Sequence, residues 1–352
     1  MLSPTTANSI ELWQAANEVG GGTVLVCGIG FDPRTMHTAE LVSRHLEKVE
    51  VLALGLPGSG ETSAISALAA GNHERLEELF GESLHVIPPV QVEDRSAAGV
   101  VLTRQLVRDH NLLAAGHVLI DLSALPSALS FPLVHMLLAQ AREGVTPSFE
   151  GQLQVVVSEN PRTDARIVPT GLDEPDTLAG FSRLPDDNQT RIWVPVLGEG
   201  RSEPLRAIRE FLQPNEVCPV LPFPAQDPRR ADNLLLEHRA LLFDEVSFEP
   251  GNVLHAAESN PFDLYRQLGQ LAHRYRRALE PLGGAAIVVS QHASKLLSLG
   301  VLLAAHEFEL AVAHVRPTGY ELVEGPASEP DGDAKGDPQL FTTWLTGLPY
   351  EQ

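Results

Sequence analysis

The stretch SQHASKLLSLG (residues 290–300) sets Ser290, His292, Ser294 and Lys295 in one turn, where an apolar run passes into a helical pattern. Hydroxyl, imidazole, ammonium and free helix-start amides together suit a phosphate or carboxylate. The plainer alternative is that Ser294 caps a helix and Lys295 is solvated. Lysine occurs only at 48, 295 and 335, so its placement here is informative.

VCGIGFDPRT (residues 26–35) poses a similar choice. Gly28 and Gly30 fit the first two glycines of a dinucleotide fingerprint, but Pro33 takes the third position, and the next apolar run ends in Leu54 and Gly55, not an acid. NAD is therefore a minor option. Asp32 followed by Pro33 reads as a helix cap, and a capped helix end leaving a sheet is also where anions bind. The same device recurs at Asn160-Pro161, Asp227-Pro228 and Asn260-Pro261. Four such ends would crowd helix N-termini along the carboxyl edge of a parallel sheet, with Arg34, Arg229 and Arg230 as either its cationic lining or surface residues.

Three residues are candidates for acid–base work: Asp121, Glu258 and His292. Asp121 ends the run HVLID and is followed by Ser123; it could orient a ribose, hold magnesium, serve as a base, or cap a turn. GLPGSGET (residues 55–62) matches a phosphate-binding loop except that Glu61 holds the lysine position. A carboxylate there would repel the phosphates, so triphosphate hydrolysis is not expected. No G-x-S-x-G or H-E-x-x-H occurs, His292 occupies the serine position of an S-x-x-K pattern, and the scattered His37, His73, His135 and His306 read as surface or core residues. No dedicated metal site is expected. The implied cofactor class is a nucleotide, with magnesium as an option; its identity stays open.

A net charge of −21, from 25 basic and 46 acidic residues, argues against direct nucleic-acid binding. Cys27 and Cys218 lie far apart in apolar runs, consistent with a reducing compartment. The start of the chain lacks the pattern of a secretory signal, and Leu296–Val315 is too polar to span a membrane, so the chain reads as cytoplasmic.

Apolar runs such as VLVCG, HVLID, LQVVVS and AAIVVS do not alternate, as expected for strands covered on both faces. With amphipathic helices between them, Pro261–Leu279 the clearest, they predict a doubly wound, mostly parallel, Rossmann-like α/β fold in two lobes. The expected division is 1–165, a linker or excursion at 166–190, a second α/β lobe at 191–322, and 323–352 as a mobile acidic loop plus the apolar segment LFTTWLTGLPY. That segment should dock on its own domain or on a partner, and an exposed patch there would favour self-association. GFDPR and QDPRR (226–230), each after a strand, hint at internal duplication.

GIGFDPR, ESNPFDLYR and SKLLSLGVLLAA resemble, in the order of elements they belong to, Rossmann-like proteins of bacterial antiviral defence. The resemblance implies a sensor or effector-partner role with nucleotide recognition, and carries over no catalytic residue. The expected function is binding of a nucleotide or similar small anion at the carboxyl edge, with partner proteins or a homo-oligomer. The alternatives are an enzyme acting on a nucleotide or phosphorylated metabolite, and a structural adaptor.

Overall fold

The computed structural model describes residues 2–3, 6–56, 63–90, 92, 94–142, 144–159, 167–184, 189–246, 248–323 and 339–347. It divides into two compact units, Met1–Gly171 with Pro317–Gln352, and Leu172–Arg316.

In the first unit, strands β2 (Thr23–Ile29), β3 (Val49–Gly55), β4 (Leu84–Ile87), β5 (His117–Asp121) and β6 (Gln152–Glu159) are mutually parallel. Two antiparallel strands, β16 (Gln339–Trp344) and β1 (Leu2–Ser3), extend the sheet, giving the order β1-β16-β6-β5-β2-β3-β4. Its helices are α1 (Thr6–Gly20), α2 (Arg34–His45), α3 (Ser63–Phe80), α4 (Ala98–Asp109) and α5 (Ser127–Gln140). Every residue of β5 is buried, as its unbroken apolar run predicts for a strand between two helical layers. Strands β7 (Ile167–Leu172) and β15 (Pro317–Leu322) pair with each other in a separate ribbon.

As far as it is described, the apolar C-terminal segment is not an exposed patch. Leu340, Phe341 and Trp344 are buried in β16, and the indole of Trp13 donates to Thr342 Oγ1 at 3.0 Å. The apolar side chains of LFTTW are therefore spent in their own sheet and give no reason for self-association; residues 348–352 lie outside the described residues. The acidic stretch 324–338 lies outside the described residues.

The second unit contains β8 (Asp176–Thr177), β9 (Thr190–Val196), β10 (Glu216–Val217), β11 (Val220–Pro222), β12 (Leu254–Ala256), β13 (Ala285–Gln291) and β14 (Ala311–His314), with α6 (Ser202–Leu212), α7 (Arg230–Glu237), α8 (Pro261–Leu279) and α9 (Lys295–Glu307). Its order is β12-β11-β9-β13-β14-β8, with β10 also beside β9 and only β8 antiparallel. Asn260 caps α8 by accepting from Phe262 N at 3.1 Å, and Leu264, Leu268 and Leu271 form its buried stripe. A Cβ on Gly300 would come within 2.4 Å of Pro261 O, so this glycine lets α9 press against α8.

Both sheets follow one plan. With β10 and β11, which run consecutively beside β9, taken as one interrupted strand, the first parallel strand is central, the second and third lie to one side, and the fourth and fifth lie to the other. An antiparallel strand lies beyond the fifth. Crossovers in both directions place helices on both faces, and strand order reverses between the first and fourth strands. This repeated order relates the halves better than the matching tripeptides do. GFDPR follows the first parallel strand of its unit, whereas QDPRR follows the second.

Candidate functional site

In open α/β sheets ligands sit beyond the carboxyl ends of the strands where the order reverses. In the first unit that point lies between β2 and β5. A Cβ on Gly28 would stand 3.1 Å from Leu125 and 3.3 Å from Ala124 O, so the segment after β5 runs close across this turn. Gly28 O accepts from Thr35 Oγ1 at 2.8 Å, and Gly30 O from Asn72 Nδ2 at 2.7 Å. Asp32 accepts from Arg34 N at 3.0 Å, and the Arg34 guanidinium closes on the same carboxylate, its shortest contact 2.6 Å. Both side chains are nearly buried. Asp32 thus does the capping its sequence predicts, and the charge of Arg34 is balanced by it.

Asp121 ends β5 in full burial. Its Oδ1 accepts from Ser123 N at 2.8 Å and from the Ser123 hydroxyl, while Oδ2 has no partner. Burial pushes its carboxyl up to about 6, against the lowering effect of the Ser123 bonds and with the Asp32 charge adding to the rise. Ser123 Oγ accepts from Ser158 N at 2.8 Å, and Ser158 Oγ meets His37 Nδ1 at 3.0 Å. The chemistry here is acidic, enclosed and mostly satisfied from within.

The second unit reverses its order between β9 and β13, and here both signs of charge meet: Glu237 Oε1 accepts from Gly200 N at 2.7 Å, and Arg230 pairs with Glu199. β9 leaves the sheet through Gly198-Glu199-Gly200, a glycine pair spaced like Gly28 and Gly30. A Cβ on Gly198 would lie 1.7 Å from His292 O, so only glycine fits between the two strand exits. Ser290 Oγ accepts from Trp193 Nε1 at 2.9 Å and lies 3.0 Å from His292 Nε2. Tryptophan can only donate, so Ser290 Oγ accepts in that bond while also bridging to His292 Nε2. Burial holds the His292 imidazolium at about 3, with the nearby Arg201 and His238 adding to the fall, so His292 is neutral at pH 7. His238, itself buried, donates from Nε2 to Gly198 O at 2.9 Å and accepts at Nδ1 from Ser202 Oγ at 3.0 Å.

Ser294 caps α9 by accepting from Leu297 N at 3.3 Å, and Lys295 is the first residue of that helix, half-buried. Gln291 pins the connecting loop, accepting from Ala293 N at 2.6 Å and donating to Ser294 O at 2.8 Å. The cap reading of Ser294 is therefore met, and the helix start it secures belongs to the same strand exit as His292.

The remaining candidates make other contacts where they are described. Glu258 is paired with Arg230 at 2.9 Å and accepts from Gln226 N at 3.0 Å, which ties the exits of β11 and β12 together. Arg229 is exposed, with its amide bonded to Asp227 Oδ1 at 2.9 Å. Asn260 is the α8 cap. Asn160 and residues 57–62 of the GLPGSGET turn lie outside the described residues. Sequence reasoning missed Gly198, Gly200, His238 and Trp193. The G-x-G of LGEG was visible after an apolar run, whereas the two side chains are joined to the site only by folding. Among the described residues no cluster of three or more His, Cys, Asp or Glu is placed to hold a metal. A groove of about 520 Å³ beside His273, Arg276 and Phe308 flanks the C-terminal half of α8, away from the strand exits.

The chain matches no protein-family model and no curated protein. Among solved structures it is similar to a universal stress protein from Archaeoglobus fulgidus DSM 4304, with 9% identity over 82% of this chain and 94% of that one, at a TM-score of 0.24. It is also similar to the U34-tRNA thiolase NcsA from Methanococcus maripaludis, with 12% identity over 40% and 52% of the two chains and a TM-score of 0.22. The EutD phosphotransacetylase from Staphylococcus aureus aligns at 9% identity over 86% and 99%, with a TM-score of 0.21. At such scores the fold assignment rests on the strand order itself. Among the described residues, no helix is long and apolar enough to cross a membrane.

Proposed function

We propose that this protein binds a nucleotide or a similar phosphorylated small molecule at the carboxyl edge of its second unit. The observation that carries this reading is the grouping, at one reversal of strand order, of the Gly198–Gly200 turn, neutral His292 and the capped start of α9 with Lys295. Arg201 and Lys295 supply positive charge near His292 in a chain of net −21, beside Glu237, which holds the Gly200 amide. Such a surface favours an anion, and a lysine grips phosphate as a point charge on a flexible stem.

A binding role is better supported than catalysis. Of the three acid–base candidates, Glu258 is held in an ion pair, His292 is kept neutral well below physiological pH, and Asp121 is enclosed. The antiviral setting and the partner proteins rest on the resemblance in element order alone. Native mass spectrometry of the purified full chain tests the reading: a retained ligand of nucleotide mass is expected in the wild type and depleted in Lys295→Ala. Equal retention by both proteins would overturn the site, and failure of added ATP or inorganic pyrophosphate to bind would overturn the class.

A further inference from the structure

The groove beside the C-terminal half of α8 has no part in the ligand reading. Helices α8 and α9 both begin at strand exits, so their C-terminal ends lie at the opposite, amino edge of the second sheet. The groove there holds about 520 Å³, and its floor is apolar: Gly269, Ala272 and the ring of Phe308, the residue that ends α9. A Cβ on Gly269 would collide with that ring, so the glycine lets Phe308 lie against the helix. Tyr265 holds the ring in place, with the two centroids 5.1 Å apart.

The rim carries the opposite sign to the chain as a whole. His273, Arg276 and Arg277 are all exposed along it, and the acid that lines it is Glu280. Arg276 donates to the Glu309 carbonyl at 3.0 Å, which orients its guanidinium without neutralising it. Elsewhere in this unit Arg206, Arg230 and Arg266 each pair with a carboxylate. Among the described residues, neither Arg276 nor Arg277 does so. The C-terminus of α8 accounts for cations at this end of the helix. It does not account for the apolar hollow that they border.

Two kinds of occupant fit poorly. A nucleic acid or a second copy of this chain would meet the field of a protein of net −21. A nucleic-acid backbone would also leave the apolar floor uncovered. A short peptide with a few carboxylates around a bulky apolar side chain uses both features. The planar guanidinium forks match carboxylates, and the hollow between them receives the anchor.

We propose that this groove docks an acidic segment of a partner protein, with an apolar side chain seated against Phe308 and Ala272 and flanking carboxylates paired with Arg276 and Arg277. The dock lies in the second unit but at the other edge of its sheet from the proposed ligand site.

Fluorescence anisotropy of the full chain with labelled decapeptides tests the proposal. One series sets Phe-Leu within Asp and Glu, a second sets the same pair within Lys and Arg, and a third sets Gly-Ser within Asp and Glu. The first series should bind, and the other two should bind roughly tenfold more weakly or worse. Arg277→Glu should weaken the first series by roughly tenfold or more. Arg104→Glu, the same charge change at an exposed position of α4, should leave it as in wild type. Should Arg277→Glu not fold, Arg277→Gln serves instead, with a loss of a few-fold expected. No binding by the first series, equal binding by all three, or equal losses in Arg277→Glu and Arg104→Glu would overturn the dock. Self-association of the chain, or binding of a labelled oligouridylate, that Arg277→Glu abolishes would overturn the acidic segment as its occupant.

Discussion

The two units share a strand order and differ at the place where that order creates a crevice. The first closes it with its own groups: Asp32 on Arg34, Ser123 on Asp121, and the segment after β5 against Gly28. The second joins its two strand exits through a glycine and a histidine carbonyl, and sets Arg201 and Lys295 near a capped helix start. The difference shows that the plan supplies a location, while a few side chains decide whether it receives a ligand or is consumed by internal bonds.

The glycines offer the sharpest way to break this comparison. Gly198→Ala would drive a methyl group into the His292 carbonyl, where backbone on both sides must shift, and should cost the second unit about 3–5 kcal/mol. Gly28→Ala meets the end of Leu125 at 3.1 Å and the Ala124 carbonyl at 3.3 Å, which need give by only a few tenths of an ångström, and should cost the first unit only about 1 kcal/mol. Urea denaturation followed by hydrogen exchange in each unit measures both. Equal losses would mean that the two turns are not differently packed.

Acid should separate the units too. Burial holds His292 at about 3 and His314 at about 4, so each favours folding above the ordinary histidine value and loses that contribution as pH falls toward its folded value. At pH 5 the second unit should have lost on the order of 4 kcal/mol through these two. The first unit loses about half as much through His117, also held at about 3, and recovers part of it. The raised Asp121 carboxyl works in the opposite direction, stabilising as pH falls toward its unfolded value. Hydrogen exchange across pH 7 to 5 should therefore show the second unit loosening first; simultaneous loosening would contradict these assignments.

Much of the frame was legible in the residues. Runs such as HVLID became fully buried strands because parallel strands covered on both faces need no polar side, and Asn260-Pro261 started α8 where its cap chemistry indicated. What stayed hidden depends on contacts distant in sequence. LFTTW gives no sign that it will lie antiparallel on β6, since its apolar content is equally suited to a partner. Neither does a lone arginine two residues after an aspartate reveal that it will fold back on it rather than face a ligand. His238 and Trp193 reach the second site only through tertiary packing, over 36 and 97 residues of chain in their bonds to Ser202 and Ser290.

A smaller effect sharpens the comparison further. Removing the α8 cap with Asn260→Ala should lower stability by about 1 kcal/mol and leave ligand binding unchanged, since this side chain serves the helix. Thermal melts with and without ATP would show whether the two are in fact coupled.

The most direct test of the central claim is calorimetric titration of the full chain with ATP, with and without magnesium, for wild type, Lys295→Ala, Arg34→Ala and Lys48→Ala. Lys48 is an exposed residue in a left-handed turn before β3, and it serves as the charge-matched control. One site per chain is predicted. Lys295→Ala should weaken it by a charge-assisted bond, about 1.5–3 kcal/mol or roughly tenfold to a hundredfold in Kd, while Arg34→Ala and Lys48→Ala bind as wild type. Affinity lost with Arg34 and kept without Lys295 would place the ligand in the first unit and contradict the account.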